Sequence, residues 1–348
     1  MSLTDQEILE RKAAVEEAAA DRLSEQALVS RELTNGYTYV RPFSETYDGV
    51  VAALENPDDR IMFGLVDIDA LTRGFGPKEL ILIAGFAHAG KTQLANTMIL
   101  NNKNRRILFF SMDDPAEMIL IKLACMHLGI SAEELEHRIR KHDAEARRGL
   151  QEVATAQFSN LLVVDESLGL TAIDKAVAEA TSYWGAPPEL IIIDYLSSMQ
   201  GNGHNDDEDG GVKRKVAALK RWCKAQPFPT VCLHQNTRSR GGPGEPVTLM
   251  SVAFGGEQEA TMIVGVRRKK DSQELDEWAR NAHEKTITLH VVKNKRPPGR
   301  CTPRDGVDLY MEPLTGVIRM LRDEDWPSPP KAISRVGEAV QAVSHGTP

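Results

Sequence analysis

The chain has 348 residues, 41% hydrophobic and 26% charged, which is the composition of a folded globular protein with room for one large core or two modest ones. Its formal net charge of -8 opposes polyanions, so any nucleic-acid contact has to come from a local basic stripe. The N-terminus MSLTDQEILERK has no apolar signal region, and apolar runs such as Leu80 to Ala87 fall far short of the ~20 residues that span a bilayer; neither export nor membrane insertion is indicated, and a cytoplasmic protein is expected.

Residues 4–34 lack Gly, Pro and aromatics, and Ile8, Val15, Ala19, Leu23 and Ala27 recur at spacings of seven and four. This pattern predicts one amphipathic helix, ended by Asn35 and Gly36, that folds back on its own core or docks on a neighbouring subunit. Residues 37–60 read as a connector. From about Leu65 apolar strand candidates alternate with helical stretches, as in an α/β domain with a mostly parallel sheet. The expected strands are Glu79–Ala84, Arg106–Met112, Leu161–Asp165, Leu190–Asp194 and Thr230–His234. The expected helices are Thr92–Asn101, Pro115–Leu128, Ala172–Trp184 and Val212–Ala225, with SAEE at Ser131–Glu134 starting another as a capping box. Lys285–Val292 alternates polar and apolar residues, as a strand with one wet face would. The run Pro327–Pro330 breaks structure before a short helix or a disordered end. Three segments follow: an arm and connector over 1–60, the main domain over 61–322 and a tail over 323–348. The cysteines Cys125, Cys223, Cys232 and Cys301 form no CxxC pair, and Cys125 and Cys232 sit in apolar runs, which fits reduced, buried thiols.

The strongest motif is GFAHAGKT, Gly85–Thr92, which fits GxxxxGK[ST] between an apolar strand and a helical stretch. In such a loop the backbone N–H groups of Gly85, Phe86, Ala87, His88, Ala89 and Gly90 turn inward around phosphate oxygens at the positive end of a helix. Lys91 places a point charge on the β- and γ-phosphates of ATP, and the Thr92 hydroxyl is set to ligate Mg²⁺. His88 occupies a variable loop position and is expected to face solvent. Asp194, at the end of LIIID, is the second magnesium carboxylate; the plainer reading is a strand-terminal Asp capping a turn.

These motifs stand in a recognisable order. FGLVDIDALTRGFGPKELILIAG leading into GFAHAGKT resembles the entry to the ATPase domain of DnaB-type replicative helicases and their RecA relatives. FFSMDDP, LIIIDYLSSM, PTVCLHQNTR, FGGEQEATMIVGVRR and HVVKNKRPPG are similar to later segments of that family, in the family's order, over about residues 62–320.

The resemblance implies a RecA-like P-loop fold and roles for particular residues. Asp113 matches the glutamate that polarises the attacking water, one methylene shorter, with Asp114 as a rival; both acids could instead favour the dipole of the helix they precede. Gln235 matches the glutamine that senses the γ-phosphate and relays its loss, a task suited to an amide that both donates and accepts. Lys293 and Lys295 alternate with Asn294, so on a strand they share a face. The resemblance makes them cations that act on a neighbouring subunit's nucleotide, with Arg296 as the alternative finger; a solvated basic edge strand is the competing reading. Basic residues for single-stranded DNA are Lys213, Arg214, Lys215, Arg238 and Arg240. The intervening string NDDEDG is acidic and resembles a calcium loop whose final acidic ligand is missing, with Val216 in its place.

The expectation is an ATP hydrolase that assembles as a hexameric ring or filament and translocates on single-stranded DNA in replication. The length leaves no room for the helicases' large N-terminal domain, which suggests a reduced helicase or an accessory ATPase working with replication or recombination proteins. A RecA-type recombinase or mediator is the alternative, as is a nucleotide switch that does not touch DNA.

Overall fold

The computed structural model describes residues 43–326 apart from 57–58, 195, 197–198, 200–207, 237–241 and 253–257. The expected helix over residues 4–34, the break at 327–330, Arg238, Arg240 and residues 205–207 of the acidic string lie outside the described residues.

Nine strands form one sheet: β1 (Leu80–Gly85), β2 (Ile107–Ser111), β3 (Leu161–Val164), β4 (Leu190–Asp194), β5 (Thr230–Gln235), β6 (Met262–Arg267), β7 (Thr286–Asn294), β8 (Val307–Met311) and β9 (Ile318–Met320). Their order is β3-β2-β4-β5-β1-β6-β7-β8-β9. The strands from β3 to β6 run parallel, and β7, β8 and β9 extend the sheet antiparallel. This is the mostly parallel α/β sheet expected from the alternating pattern. β1, β2 and β4 are buried along their whole length, as strands covered on both faces must be.

Strand alternation divides the core in two. Ile81, Ile83, Ile107, Phe109, Leu190, Ile192, Val231 and Leu233 face one cluster, while Leu80, Leu82, Leu108, Phe110, Ile191, Ile193 and Cys232 face the other. After two short helices, α1 (Tyr47–Glu55) and α2 (Val66–Thr72), helix α3 (Lys91–Asn101) leaves β1 and inserts Leu94, Ala95, Met98 and Ile99 into the first cluster. α4 (Ala116–Leu128) packs on the same side, and Asp165 accepts a hydrogen bond from its first amide, Ala116 N, at 2.9 Å. Ser131 caps α5 (Ala132–Arg140) as expected, its Oγ accepting from Glu134 N at 3.1 Å. α6 (Ala144–Glu152) follows. α7 (Leu170–Trp184) and α8 (Glu208–Ala225) cover the second face through Ile173, Val177, Val216, Leu219 and Trp222, and α9 (Glu277–Ala282) precedes β7.

Three expectations need correction. α8 begins at Glu208 rather than Val212, so the end of the acidic string is helical, and Val216 is a fully buried core residue. β7 has no wet face: Thr286, Thr288 and His290 are as buried as Ile287, Leu289 and Val291. The alternation in its sequence reflects an internal polar network, in which Thr288 Oγ1 donates to Asp308 at 2.6 Å and Lys269 pairs with the same carboxylate at 2.6 Å. Nor is β7 a basic edge strand, because it lies between β6 and β8. Of the four cysteines, Cys125, Cys223 and Cys232 are buried and Cys301 is exposed.

His290 is almost fully enclosed, and burial, reinforced by Arg267 and Lys269 against the opposing pull of Asp308 and Asp305, lowers its pKa from 6.5 to about 4. The folded protein holds this imidazole neutral, so its contribution to stability is complete above pH 6.5 and is lost as pH falls towards 4. His290→Gln should remove about 2 kcal/mol of the stability loss between pH 7.5 and pH 5. Urea unfolding of both proteins at pH 7.5 and pH 5 measures it; an unchanged pH dependence in the variant would refute the assignment.

Candidate nucleotide site

The site forms where the parallel strands end. Gly85 at the end of β1 is in register with Gln235 at the end of β5, and Ser111 of β2 is in register with Asp194 of β4. Four strand ends therefore open on one edge of the sheet, the position where open α/β sheets bind ligands. Two glycines allow the loop between β1 and α3. At Gly85 a Cβ would stand 2.4 Å from the Val266 carbonyl oxygen, and Gly90 has φ +98° and faces Ile287, whose Cδ1 would be 2.7 Å from an added Cβ. Phe86 and Ala89 are buried, whereas Ala87 and His88 are exposed at the tip, where His88 was expected.

Lys91 opens α3 and folds back over the loop. Its Nζ donates to the carbonyls of Gly85 at 3.1 Å and Phe86 at 2.9 Å, so neutral oxygens hold the ammonium where phosphate oxygens would. Burial lowers its pKa to about 8, with Asp194 pulling the other way. A polyanion in the loop would favour the charged form of this lysine. The next residue, Thr92, donates its hydroxyl to Asp194 Oδ2 at 2.6 Å. Asp194 is buried, and that burial raises its pKa against the Thr92 hydrogen bond and the Lys91 charge.

The Thr92 hydroxyl and the Asp194 carboxylate are hard oxygen donors brought together, and the described residues contain no cluster of three or more His, Cys, Asp or Glu side chains able to hold a metal alone. This donor set suits Mg²⁺, which usually takes one or two protein oxygens and completes its shell with water and substrate phosphates.

Asp113 and Asp114 follow β2 at the same edge, and both charges act on Asp194. They are not equivalent. Asp114 is tied to Lys122 of α4 at 2.5 Å, and its carbonyl accepts from Ser111 Oγ at 2.6 Å, whereas Asp113 is exposed. Gln235 is exposed beside Gly85. Its neighbour Asn236 went unremarked in the sequence: its backbone N–H donates to the Gly85 carbonyl at 3.0 Å, while its buried amide group makes no hydrogen bond. Lys122 was also missed, because two residues eight apart on opposite sides of a helix start give no local pairing signal.

Lys293 and Lys295 do not reach this loop. Both ammonium groups donate to the Gln258 carbonyl, at 3.0 and 2.9 Å, and Asn294 turns the other way towards Leu71 and Arg300, as alternation requires. Asn294 pairs with Met262, which pairs with Ile81, so the lysines lie near the start of β1 and the phosphate loop lies beyond its end. The separation along the strand is roughly 15 Å at ~3.3 Å per residue. Arg296 is bound to both oxygens of Glu79, at 2.7 Å each. Lys213 and Arg214 are exposed on α8, and Lys215 donates to the Met199 carbonyl at 2.6 Å.

Residues 61–301 match the family model of the DnaB-like helicase C terminal domain. The chain belongs to this family. It is 24% identical over 262 residues to the replicative DNA helicase DnaB of Haemophilus influenzae, covering 72% of this chain and 55% of that protein. It is 27% identical over 263 residues to the DnaB helicase of Geobacillus stearothermophilus, covering 72% and 56%. The chain thus spans about half the length of these relatives. Among solved structures, one isolated ATPase domain superposes with a TM-score of 0.66 at 18% identity, covering 81% of this chain and all of that one. A DnaB-like replicative helicase described with its primase interactions gives 0.65 at 16% identity, covering 88% and 77%. At these identities the structures establish the fold, which is the RecA-like arrangement expected of a DnaB-family domain. Among the described residues no helix is long and apolar enough to cross a membrane.

Lys91→Ala should weaken binding of magnesium ATP by at least tenfold while leaving the fold intact, because the loop backbone closes without the ammonium. Calorimetric titration and a thermal melt check both halves; unchanged affinity in a folded variant would reject the site.

Proposed function

We propose that this DnaB-family chain hydrolyses ATP with Mg²⁺ as the motor portion of a replicative helicase that translocates on single-stranded DNA. The observation that carries the proposal is the convergence of Lys91, Thr92, Asp194 and Gln235 at the ends of adjacent parallel strands. The bound Mg²⁺ supplies charge neutralisation to the β- and γ-phosphate oxygens. The protein's own residues do the rest. The loop amides of Gly85–Gly90 and the Lys91 ammonium hold the triphosphate and stabilise charge on the transferred group. Asp113, unlike the Lys122-bound Asp114, is available to accept a hydrogen bond from the attacking water. Gln235 lies at the start of the segment that carries Arg238 and Arg240 and couples the γ-phosphate to it. Those arginines, with Lys213 and Arg214, are the proposed contacts to the DNA backbone.

The proposed assembly is a ring or filament of identical subunits. Lys293 and Lys295 lie at the far end of the sheet from their own phosphate loop, so a γ-phosphate within their reach belongs to a neighbour. The family match favours the helicase reading over a recombinase.

Asp113→Asn should leave ATP binding near normal and slow hydrolysis by about 10²-fold or more, since only the proton-accepting role is removed. Asp114→Asn should cost less in rate, its carboxylate being held by Lys122. The reverse order of effects, in steady-state ATPase assays, would move the base to Asp114. For the assembly, Lys91→Ala subunits mixed with Lys293→Ala, Lys295→Ala subunits should regain activity that neither has alone, because each supplies what the other lacks. Silence in mixtures shown to co-assemble would overturn the action in trans.

A further inference from the structure

Charged side chains outside the nucleotide site are sorted to opposite ends of the parallel strands. At the carboxyl ends, Asp113 and Asp114 follow β2, and Asp165 and Glu166 follow β3, which pairs with β2 in parallel. The Asp165 carboxylate accepts from Ala116 N at 2.9 Å, which ties the end of β3 to the start of α4 and brings Glu117 to the same corner. Lys122 is bound to Asp114. Asp113, Glu117 and Glu166 are exposed and form no ion pair among the described residues. The dipole of α4 accounts for acids at its own start but not for Glu166 at the end of β3.

The amino ends of β1 and β6 carry the reverse charge. From Val212 to Ala225, α8 has Lys213, Arg214, Lys215, Lys220, Arg221 and Lys224 and no carboxylate. Its last turns lie at the start of the sheet: Lys220 Nζ donates to the Thr261 hydroxyl at 2.9 Å, and Thr261 N donates to the Leu80 carbonyl at 2.8 Å. Lys295 N donates to the Thr261 carbonyl at 2.9 Å, so the turn after β7 meets α8 at this residue. Lys224 is exposed and pairs with no carboxylate among the described residues. Burial, with the like charges of Lys295 and Lys224, lowers the Lys220 pKa against the opposing pull of Cys223 and Glu79. The two patches are separated by the length of a parallel strand; the five residues of β2 span roughly 17 Å at ~3.3 Å per residue. That is about twice the Debye length of ~8 Å at physiological ionic strength, so one subunit cannot neutralise its basic end with its own acidic corner.

We propose that the basic end around Lys220 and Lys224 is an interface for a second copy of this chain, which docks its acidic corner of Asp113, Glu117 and Glu166 there. Two different patches of one chain that complement each other make a head-to-tail contact, and such contacts propagate into a closed ring or an open filament. Like charges reject the other arrangements, basic end on basic end and acidic corner on acidic corner. Asp113 stands at the nucleotide edge and Lys295 at the basic end, so the contact that neutralises both patches also carries Lys295 towards a neighbour's phosphate loop. The interface rests on the assembly reading above, names the surfaces that meet and makes charge the force that selects them.

The experiment uses the full-length chain with magnesium ADP, read by sedimentation velocity over a concentration series. The unmodified chain should assemble about tenfold more tightly in ~0.05 M than in ~0.5 M sodium chloride, because salt screens the patches. At low salt, Glu117→Lys, Glu166→Lys chains should assemble about tenfold or more weakly than the unmodified chain, and so should Lys220→Glu, Lys224→Glu chains. A mixture of the two variants should recover assembly, since alternating subunits place each reversed corner on a reversed end and each native corner on a native end. Thermal melts establish that each variant is folded; if Lys220→Glu unfolds the chain, the exposed change Lys224→Glu stands alone in its place. A monomer at every salt concentration would defeat the assembly reading and this interface with it. Assembly that forms but is indifferent to both reversals, or a mixture no better than either variant, overturns the charge interface alone. If Lys220→Glu, Lys224→Glu chains assembled normally but lost binding of a fluorescent single-stranded oligonucleotide, the basic end would serve nucleic acid and the proposal would fall.

Discussion

The hydrogen bond from Thr92 to Asp194 joins residues 102 apart in the chain, and the proposed nucleotide site depends on it. Thr92 is placed by the first turn of α3 and Asp194 by the end of β4, so the bond forms only if β1, β5, β4 and β2 keep their register. The register is enforced by burial: β1, β2 and β4 are apolar on both faces, and a slip would carry Asp194 into the core. The site is therefore a consequence of core packing, with its polar groups confined to the open ends of strands that have no tolerance for them elsewhere.

β7 gives the molecule a second axis. Its beginning presses Ile287 against Gly90 of the phosphate loop, and its end carries Lys293 beside the start of β1. One strand thus runs from beside the Gly85–Thr92 loop to the pair Lys293 and Lys295. It is buried between β6 and β8 and tied to β8 and to Lys269 through Thr288 and Asp308.

Electrostatics at the two ends are arranged in opposite senses. At the phosphate loop, cation and carboxylate are buried close together, and Lys91 borrows backbone carbonyls to stay solvated. At the far end, both carboxylate oxygens of Glu79 accept from the Arg296 guanidinium. A net charge of -8 for the whole chain hides this local separation.

Much of the phosphate end was legible in the sequence, because each part is local: a strand, a glycine-bearing loop, Lys91-Thr92 and a helix stand consecutively, and LIIID announces its own strand end. The order of the later motifs carried the family resemblance, and strands β1 to β5 follow from apolar runs that only a buried parallel sheet accommodates. β8 and β9 escaped because they are short and their apolar residues are interrupted by Asp308 and Arg319, whose partners, Thr288 with Lys269 and Asp325, come from elsewhere in the fold. The polar face of β7 looked wet for the same reason. Which of Asp113 and Asp114 is held by Lys122, and that Arg296 pairs with Glu79, were decided by tertiary structure alone. Sequence spacing determines what a residue can offer and on which face, but a charge is free or committed only according to which distant side chain the fold sets beside it.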